Sequence, residues 1–154
     1  MPKRINRVIE LLEQDQPAYG AWYSSFHECG VELSYDGGRR WAREWADFVH
    51  ISLEHDPFDL PALAAFMQGL VDGGPTASGH RTPAVIVEVP SDGGSEAIVR
   101  ANAWQFRQVL ALGVHGLLLC HTETPEAASA FVETCRYPFQ TAGVTPTGLG
   151  QGRR

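Results

Sequence analysis

The segment at residues 45–60, WADFVHISLEHDPFDL, constrains the fold of this chain more than any other. An apolar stretch typical of a buried strand runs directly into a charged corner at residues 54–57, EHDP, and an amphipathic helical pattern follows it. A strand followed at once by a helix is the unit from which parallel sheets are built. In α/β barrels, charged groups at the carboxyl end of such a strand carry the chemistry. The segment therefore predicts both an α/β architecture and a place for a site.

The same alternation of strand and helix runs along the rest of the chain. The sequence predicts strands at residues 19–23, 48–53, 84–89 and 117–120, and helices at residues 3–14, 39–46, 60–73, 99–113 and 125–135. Alternating elements of this kind imply a parallel sheet with right-handed crossovers. A closed (β/α)₈ barrel takes about 250 residues. We therefore expect an α/β fold that is a partial (β/α)₈, TIM-barrel-like sheet of four parallel strands with an N-terminal helix, forming one domain over residues 1–154.

Local signals place the helices and the loops between them. Asp59 and Thr124 are predicted helix caps, and Gly37 and Gly38 are expected to interrupt the chain before the second helix. Residues 72–82 are rich in Gly, Ser, Thr and Pro and are predicted to form a surface loop. The apolar positions expected to face inward are Ile5, Val8, Ile9 and Leu12 in the first helix, Val99, Ala103, Phe106 and Leu110 in the fourth, and Ala128, Phe131, Val132 and Cys135 in the last.

Composition excludes several classes of function. With 44% hydrophobic and 19% charged residues the chain is a folded protein. Its net charge of −6, without a sustained basic run, argues against electrostatic binding to nucleic acid or to an anionic membrane. No apolar stretch approaches the ~20 residues of a transmembrane helix, and the N-terminus does not resemble a secretory signal, so a cytoplasmic location is expected. The three cysteines have no CxxC spacing, which argues against disulfides and a zinc cluster.

An ordered set of segments resembles the HpcH/HpaI aldolase and citrate lyase family, the class II pyruvate-dependent aldolases. The matching segments are NRVIELLEQDQPAYGAWYS, DFVHISLEHDPFDLPAL, TPAVIVEVP and QVLALGVHGLLLCHTETPEAASAFVETCRYP. They cover only the N-terminal half of a family member. The resemblance implies a (β/α)₈ barrel assembled as a homo-oligomer, a small-molecule 2-oxo acid and aldehyde as substrates, and a divalent metal (Mg²⁺, Mn²⁺ or Co²⁺) that stabilises a pyruvate enolate.

The resemblance also assigns roles to individual residues. His55 matches the family histidine that takes part in proton transfer, so it is the expected catalytic residue. Glu54 matches the acidic residue before that histidine, and Glu88 stands where the family has an arginine. These two glutamates, together with His121 at the end of the fourth strand, are the expected substrate-binding residues.

The sequence departs from the family pattern at several positions. Ser52 stands where the family usually has a carboxylate, and Gly150 replaces the arginine of a Gly-rich turn. The family's metal ligands, a Glu and an Asp on the fifth and sixth strands, fall beyond Arg154, so no metal ligand is assigned. From the residues alone, a carboxylate set could still bind a cation or form a solvated acidic cluster; that set is Glu54, Asp56, Glu88 and Asp92.

Two functions from different classes fit these observations. The first is a divergent or truncated class II aldolase-type lyase, which makes or breaks a carbon–carbon bond of a 2-oxo acid through a pyruvate enolate. The second is a non-catalytic half-barrel that assembles through its open sheet edges. A third reading, in which the chain is a fragment of a longer gene product, is compatible with either. In the second, His55 would be a surface histidine paired with Glu54 or Asp56, and His50 and Cys120 would be structural in both.

Overall fold

The computed structural model describes residues 4–23 and 31–137. Within them, the chain forms four strands: β1 (Gly20–Tyr23), β2 (Phe48–Ser52), β3 (Ala84–Asp92) and β4 (Gly116–Cys120). All three strand pairings are parallel and the order in the sheet is β1-β2-β3-β4. This is half of the strand set of a (β/α)₈ barrel, so the predicted α/β, partial TIM-barrel-like fold is confirmed.

Helices connect the strands as the βα alternation requires. The described residues form six helices: α1 (Arg7–Glu13), α2 (Tyr35–Trp41), α3 (Leu60–Gly73), α4 (Glu96–Ala101), α5 (Ala103–Ala111) and α6 (Pro125–Cys135). The predicted caps are present, since the Asp59 side chain accepts a hydrogen bond from Ala62 N and the Thr124 side chain accepts one from Ala127 N. None of these helices is long and apolar enough to cross a membrane.

The two faces of the sheet differ in what covers them. The hydrophobic core lies on one face, where Val49, Ile51, Val85 and Val87 are fully buried and join a cluster that includes Phe66 and Phe106 from the helices. Side chains alternate between faces along a strand. The opposite face, which we call the inner face, therefore carries Trp22, His50, Ser52, Ile86, Glu88 and Leu118, and in a closed barrel it would line the interior.

The second helix lies earlier than the sequence predicts. It spans 35–41 and not 39–46. Gly37 and Gly38 lie inside it, although they were expected to interrupt the regular structure before it. Gly38 in α2 and Gly69 in α3 are needed for the close packing of these two helices: a Cβ on Gly38 would lie 2.2 Å from Phe66 O, and one on Gly69 would lie 2.1 Å from Tyr35 O. Ser34 supplies the cap, and its side chain accepts a hydrogen bond from Gly37 N. The close approach of two helices thus overrides the low helix propensity of glycine.

The remaining differences from the predicted elements also come from tertiary packing. The predicted fourth helix is divided at Asn102 into α4 and α5. Strand β3 continues through Pro90 to Asp92, with an irregular register to β4 after Glu88. The predicted loop at 72–82 is not wholly at the surface, because His80 and Thr82 are buried in it.

Two predicted apolar faces are partly wrong. In α1 only Leu11 is buried, whereas Ile9 and Leu12 are exposed, and Ile5 lies before the helix. In α6 the buried residues are Ala127, Ala130 and Thr134, whereas the expected Ala128 and Val132 are exposed. Both helices therefore bury a face rotated by about one residue from the predicted one.

Candidate active site

The site begins with a register pair at the carboxyl end of β2, beside the middle of β3. Ser52 lies directly beside Glu88 in the parallel pairing, and both side chains are on the inner face. Glu88 is only 7% exposed. Its Oε1 accepts a hydrogen bond from Cys120 Sγ at 2.8 Å, whereas its Oε2 is buried and accepts no hydrogen bond of normal geometry. Cys120 in β4 thus fixes one carboxylate oxygen of Glu88, whereas the other oxygen has no such hydrogen bond.

The charge of Glu88 reflects a balance of opposing effects. Burial by itself would raise the pKa of the Glu88 carboxyl, but hydrogen bonding from Cys120 and Ser52 and the nearby His50 and His55 outweigh it and lower the pKa. The same contact has the opposite effect on the thiol: burial, and then the Glu88 and Glu54 carboxylates, strongly raise the pKa of Cys120. At neutral pH the site therefore holds an ionised Glu88 beside a protonated thiol.

The charged corner after β2 brings the expected catalytic residue to the same edge. Ser52 Oγ accepts a hydrogen bond from His55 N at 3.3 Å, which fixes the turn of the chain. Glu54 then lies between two histidines: its Oε2 is 3.4 Å from His55 Nε2, and its Oε1 is 3.7 Å from His121 Nδ1. The side chain of His55 is 54% exposed, so it is accessible from solvent.

The four site residues expected from the sequence, Glu54, His55, Glu88 and His121, therefore lie at one edge of the sheet. A tighter group exists within them, because one ligand atom each of Glu54, His55 and Glu88 lies within 4.8 Å of the other two. Asp56 and Asp92, the other carboxylates of the considered cation set, are not part of this group. Asp92 is exposed, and its Oδ1 accepts a hydrogen bond from Gly94 N at 3.0 Å.

The backbone directs His121 toward this edge. His121 follows β4 immediately and adopts a φ of +49°, a left-handed conformation uncommon outside glycine.

Two other histidines of the sheet lie away from this group. His115 precedes β4 at the opposite end of the sheet, where its Nδ1 accepts a hydrogen bond from Val85 N at 3.0 Å. His50 lies on the inner face with its ring 5.0 Å from that of Trp22, edge to face. Burial lowers the pKa of both His50 and His115, although the charge of Glu88 partly opposes this at His50.

The family-type metal site is not among the described residues. The ligands that the resemblance implies belong to fifth and sixth strands, whereas residues 4–23 and 31–137 form four. What this part of the chain offers at the same edge is Glu54, His55 and Glu88. The metal-ligating residues available here therefore differ from those that the resemblance implies.

One contact of the site was missed by sequence reasoning. Cys120 was expected to be a buried structural thiol, but it is half-buried and bound to Glu88. The irregular register between β3 and β4 after Glu88 decides which residues meet, and no sequence pattern reports it. The sequence indicated only that charged residues lie near the ends of the strands, and not which of them are in contact.

The four parallel strands with their connecting helices form a partial (β/α)₈-type fold, and the chain is similar to part of known aldolases. The chain is 23% identical over 133 residues to the hydroxypyruvate/pyruvate aldolase of Paraburkholderia phytofirmans. It is 27% identical over 138 residues to the 4-hydroxy-2-oxovalerate aldolase of Rhodococcus jostii. These matches cover 86% and 90% of this chain but 43% and 45% of the two relatives, so the chain spans less than half of their length.

A solved structure gives the same result for the fold. The crystal structure of an HpcH/HpaI aldolase/citrate lyase family protein from Burkholderia cenocepacia superposes with a TM-score of 0.63 at 23% identity. The match covers 86% of this chain and 44% of that protein. No family model matches the chain. The two kinds of match confirm the resemblance to part of an HpcH/HpaI-type aldolase.

Proposed function

We propose that this chain forms part of an aldolase-type lyase, which makes or breaks a carbon–carbon bond of a small 2-oxo acid through a pyruvate enolate. The observation that carries the proposal is the position of His55 at the carboxyl end of β2, beside Glu54. This is the barrel edge where catalytic residues lie, and His55 is the residue that the resemblance assigns to proton transfer. The aldolase relatives support the same reaction class.

In this proposal His55 moves the proton at the carbon next to the keto group. An imidazole can act first as a general base and then as a general acid. Ser52 holds the backbone of the corner, and the Glu54 carboxylate, 3.4 Å from His55 Nε2, orients the ring. The exposed edge of His55 gives a substrate access to the ring.

The other expected residues would act on the substrate. His121 lies on the far side of Glu54 and offers a ring nitrogen for hydrogen bonding. Glu88 replaces a family arginine, so it cannot stabilise the negative charge of an enolate as that arginine would. In the family a divalent metal supplies that stabilisation as a Lewis acid. The corresponding ligand set does not lie in the described part of this chain, so the charge of an enolate must be balanced by other groups.

A homo-oligomer belongs to the same proposal. Within the described residues, β1 pairs with β2 alone and β4 with β3 alone, so both lateral edges of the sheet are open there. The inner face exposes large apolar side chains, with Trp22 at 43% and Leu118 at 40%. A second copy could close the barrel by pairing its β1 with β4 of the first, which would bury this face and both edges.

These open edges also favour the second candidate function, a non-catalytic half-barrel that assembles with a copy of itself. The substituted positions Ser52 and Glu88 lie at the site, and they agree with a loss of the family chemistry. This candidate predicts assembly without activity, whereas the lyase predicts both.

Deuterium exchange into pyruvate separates the two candidates. The methyl protons of pyruvate exchange with D₂O when an enolate forms, and proton NMR measures the loss of the methyl signal. We expect exchange above the protein-free rate, with Mg²⁺, Mn²⁺ and Co²⁺ each tested against a metal-free sample. The absence of exchange with every metal would exclude the lyase for this chain alone.

A further inference from the structure

We infer that Glu54, His55 and Glu88 form a binding site for a divalent transition-metal ion such as Co²⁺ or Zn²⁺. One ligand atom from each residue lies within 4.8 Å of the other two. This site is distinct from the Glu and Asp set that the aldolase resemblance implies on later strands, and it is built wholly from β2 and β3 and the corner between β2 and α3. The inference rests on this geometry and not on the proposed lyase activity.

The distances suit a single ion. Nitrogen and oxygen ligands lie about 2.0–2.2 Å from such a metal, so two ligands on one ion are at most about 4.4 Å apart. The Glu54 Oε2 and His55 Nε2 atoms, 3.4 Å apart, already meet this limit. The other two separations are within 4.8 Å, so they exceed this limit by at most about 0.4 Å.

An independent feature of Glu88 points to a cation. The residue is only 7% exposed, and its Oε2 is buried and accepts no hydrogen bond of normal geometry. A buried carboxylate oxygen in this state is costly unless something positive satisfies it. Its Oε1 is held by Cys120 at 2.8 Å, which fixes the orientation of the carboxylate as an outer-shell partner of a metal ligand does. An ion held by Glu54, His55 and the Glu88 carboxylate would supply that positive charge.

The ligand types select the kind of metal. Mg²⁺ and Ca²⁺ prefer oxygen ligands alone, whereas an imidazole nitrogen with carboxylates suits Co²⁺, Zn²⁺ and Mn²⁺. The family arginine would repel a cation from this edge, and Glu88 in its place attracts one. We therefore expect Co²⁺ and Zn²⁺ to bind more tightly than Mg²⁺.

Metal binding gives His55 a second role. A metal on Nε2 prevents that nitrogen from accepting a proton, so His55 is either a ligand or a base at any moment. The metal inference is tested by binding in the absence of any 2-oxo acid, and the lyase by exchange into pyruvate. Each can therefore fail without the other.

The test is a titration of the metal-free full chain with Co²⁺, followed by visible absorption and by calorimetry. Wild type should bind about one ion per chain, with a spectrum that indicates mixed nitrogen and oxygen ligands. Glu88→Gln keeps the size and the acceptor for Cys120 but removes the charge, and we expect it to weaken binding at least about 100-fold. His55→Ala should lose the nitrogen signature. Asp92→Asn is the matched control, because Asp92 is an exposed carboxylate at the same strand end that lies outside the group.

Several results would overturn the inference. These are the absence of Co²⁺ binding to wild type, equal affinity of wild type and Glu88→Gln, or an equal loss of affinity in Asp92→Asn. Tighter binding of Mg²⁺ than of Co²⁺ would also contradict the ligand set. Circular dichroism shows whether Glu88→Gln is folded, and Glu54→Gln, at a less buried ligand, provides the same test if it is not.

Discussion

The thiol of Cys120 donates a hydrogen bond to Glu88 Oε1 across 2.8 Å, and this contact joins the carboxyl end of β4 to the middle of β3. It orients a buried carboxylate at the edge of the sheet where the candidate catalytic residue His55 lies. Burial and then the neighbouring carboxylate raise the pKa of the Cys120 thiol and keep it protonated. The reactivity of Cys120 therefore reports on the charge of Glu88.

Replacing Glu88 by glutamine should make Cys120 more reactive. Without the carboxylate charge the pKa of the Cys120 thiol falls, and alkylation accelerates by roughly tenfold for each unit of that fall. Iodoacetamide labelling, followed cysteine by cysteine by mass spectrometry, measures the rate. Cys135 is the internal control, because burial raises its pKa to about 12. Equal Cys120 rates in wild type and Glu88→Gln would contradict the effect of the Glu88 charge on the thiol.

Alanine at the α2–α3 contact should destabilise the fold. A Cβ on Gly38 or Gly69 would lie within 2.2 Å of a backbone oxygen of the facing helix, so the helices must separate. We expect each substitution to lower the free energy of unfolding by about 1–3 kcal/mol in urea titrations. Gly94→Ala is the control, since its added Cβ would lie 3.6 Å from the nearest atom and should change stability by less than about 0.5 kcal/mol. Unchanged stability of both helix variants would show that the helices are not so closely packed.

The fold was largely predictable from the sequence because its signals are local. The strand at 48–53, the corner after it and the helix capped by Asp59 are each marked by adjacent residues, and all are present. Helix α2 was misplaced because Gly38 inside it is explained only by a partner helix remote in sequence. The edge where Glu54 and Glu88 meet followed from the parallel strands. The tighter group with His55 and the contact with Cys120 did not, since both depend on side-chain rotation and on strand register.

Stability should fall on mild acidification because of two histidines. Burial lowers the pKa of His115 and His50 in the folded chain, so between the folded pKa and the unfolded value near 6.5 the unfolded chain binds more protons. The stabilisation from their neutral forms is thus complete above pH 6.5 and is lost as the pH falls through the folded values. The substitution His115→Asn removes the titrating ring, and its side-chain oxygen can still accept the hydrogen bond from Val85 N.

Urea titrations from pH 7.5 to 5 measure this effect. The slope of unfolding free energy against pH should be smaller for His115→Asn than for wild type, and smallest when His50→Asn is combined with it. Parallel profiles for the three proteins would show that neither histidine is responsible.

A charge on the inner face should prevent self-assembly. Leu118 is 40% exposed on that face, and in the proposed closed barrel Leu118→Lys would bury an ammonium group beside Glu88, at a desolvation cost that exceeds the attraction between the two charges. Ile98 in α4 is equally exposed but lies away from the sheet, so Ile98→Lys is the matched control. Sedimentation velocity should give a dimer or larger species for wild type and Ile98→Lys, and a monomer for Leu118→Lys. A monomeric wild type would contradict the assembly proposal.

Exchange of the pyruvate methyl group in D₂O shows whether His55 transfers the proton during enolisation of a 2-oxo acid. Wild type and Asp92→Asn, which changes an exposed carboxylate at the same edge, should exchange at similar rates. In His55→Ala the rate should fall by about 10²- to 10⁴-fold, which is the usual contribution of a general base. Exchange by His55→Ala at the wild-type rate, or exchange by wild type no faster than without protein, would contradict proton transfer by His55.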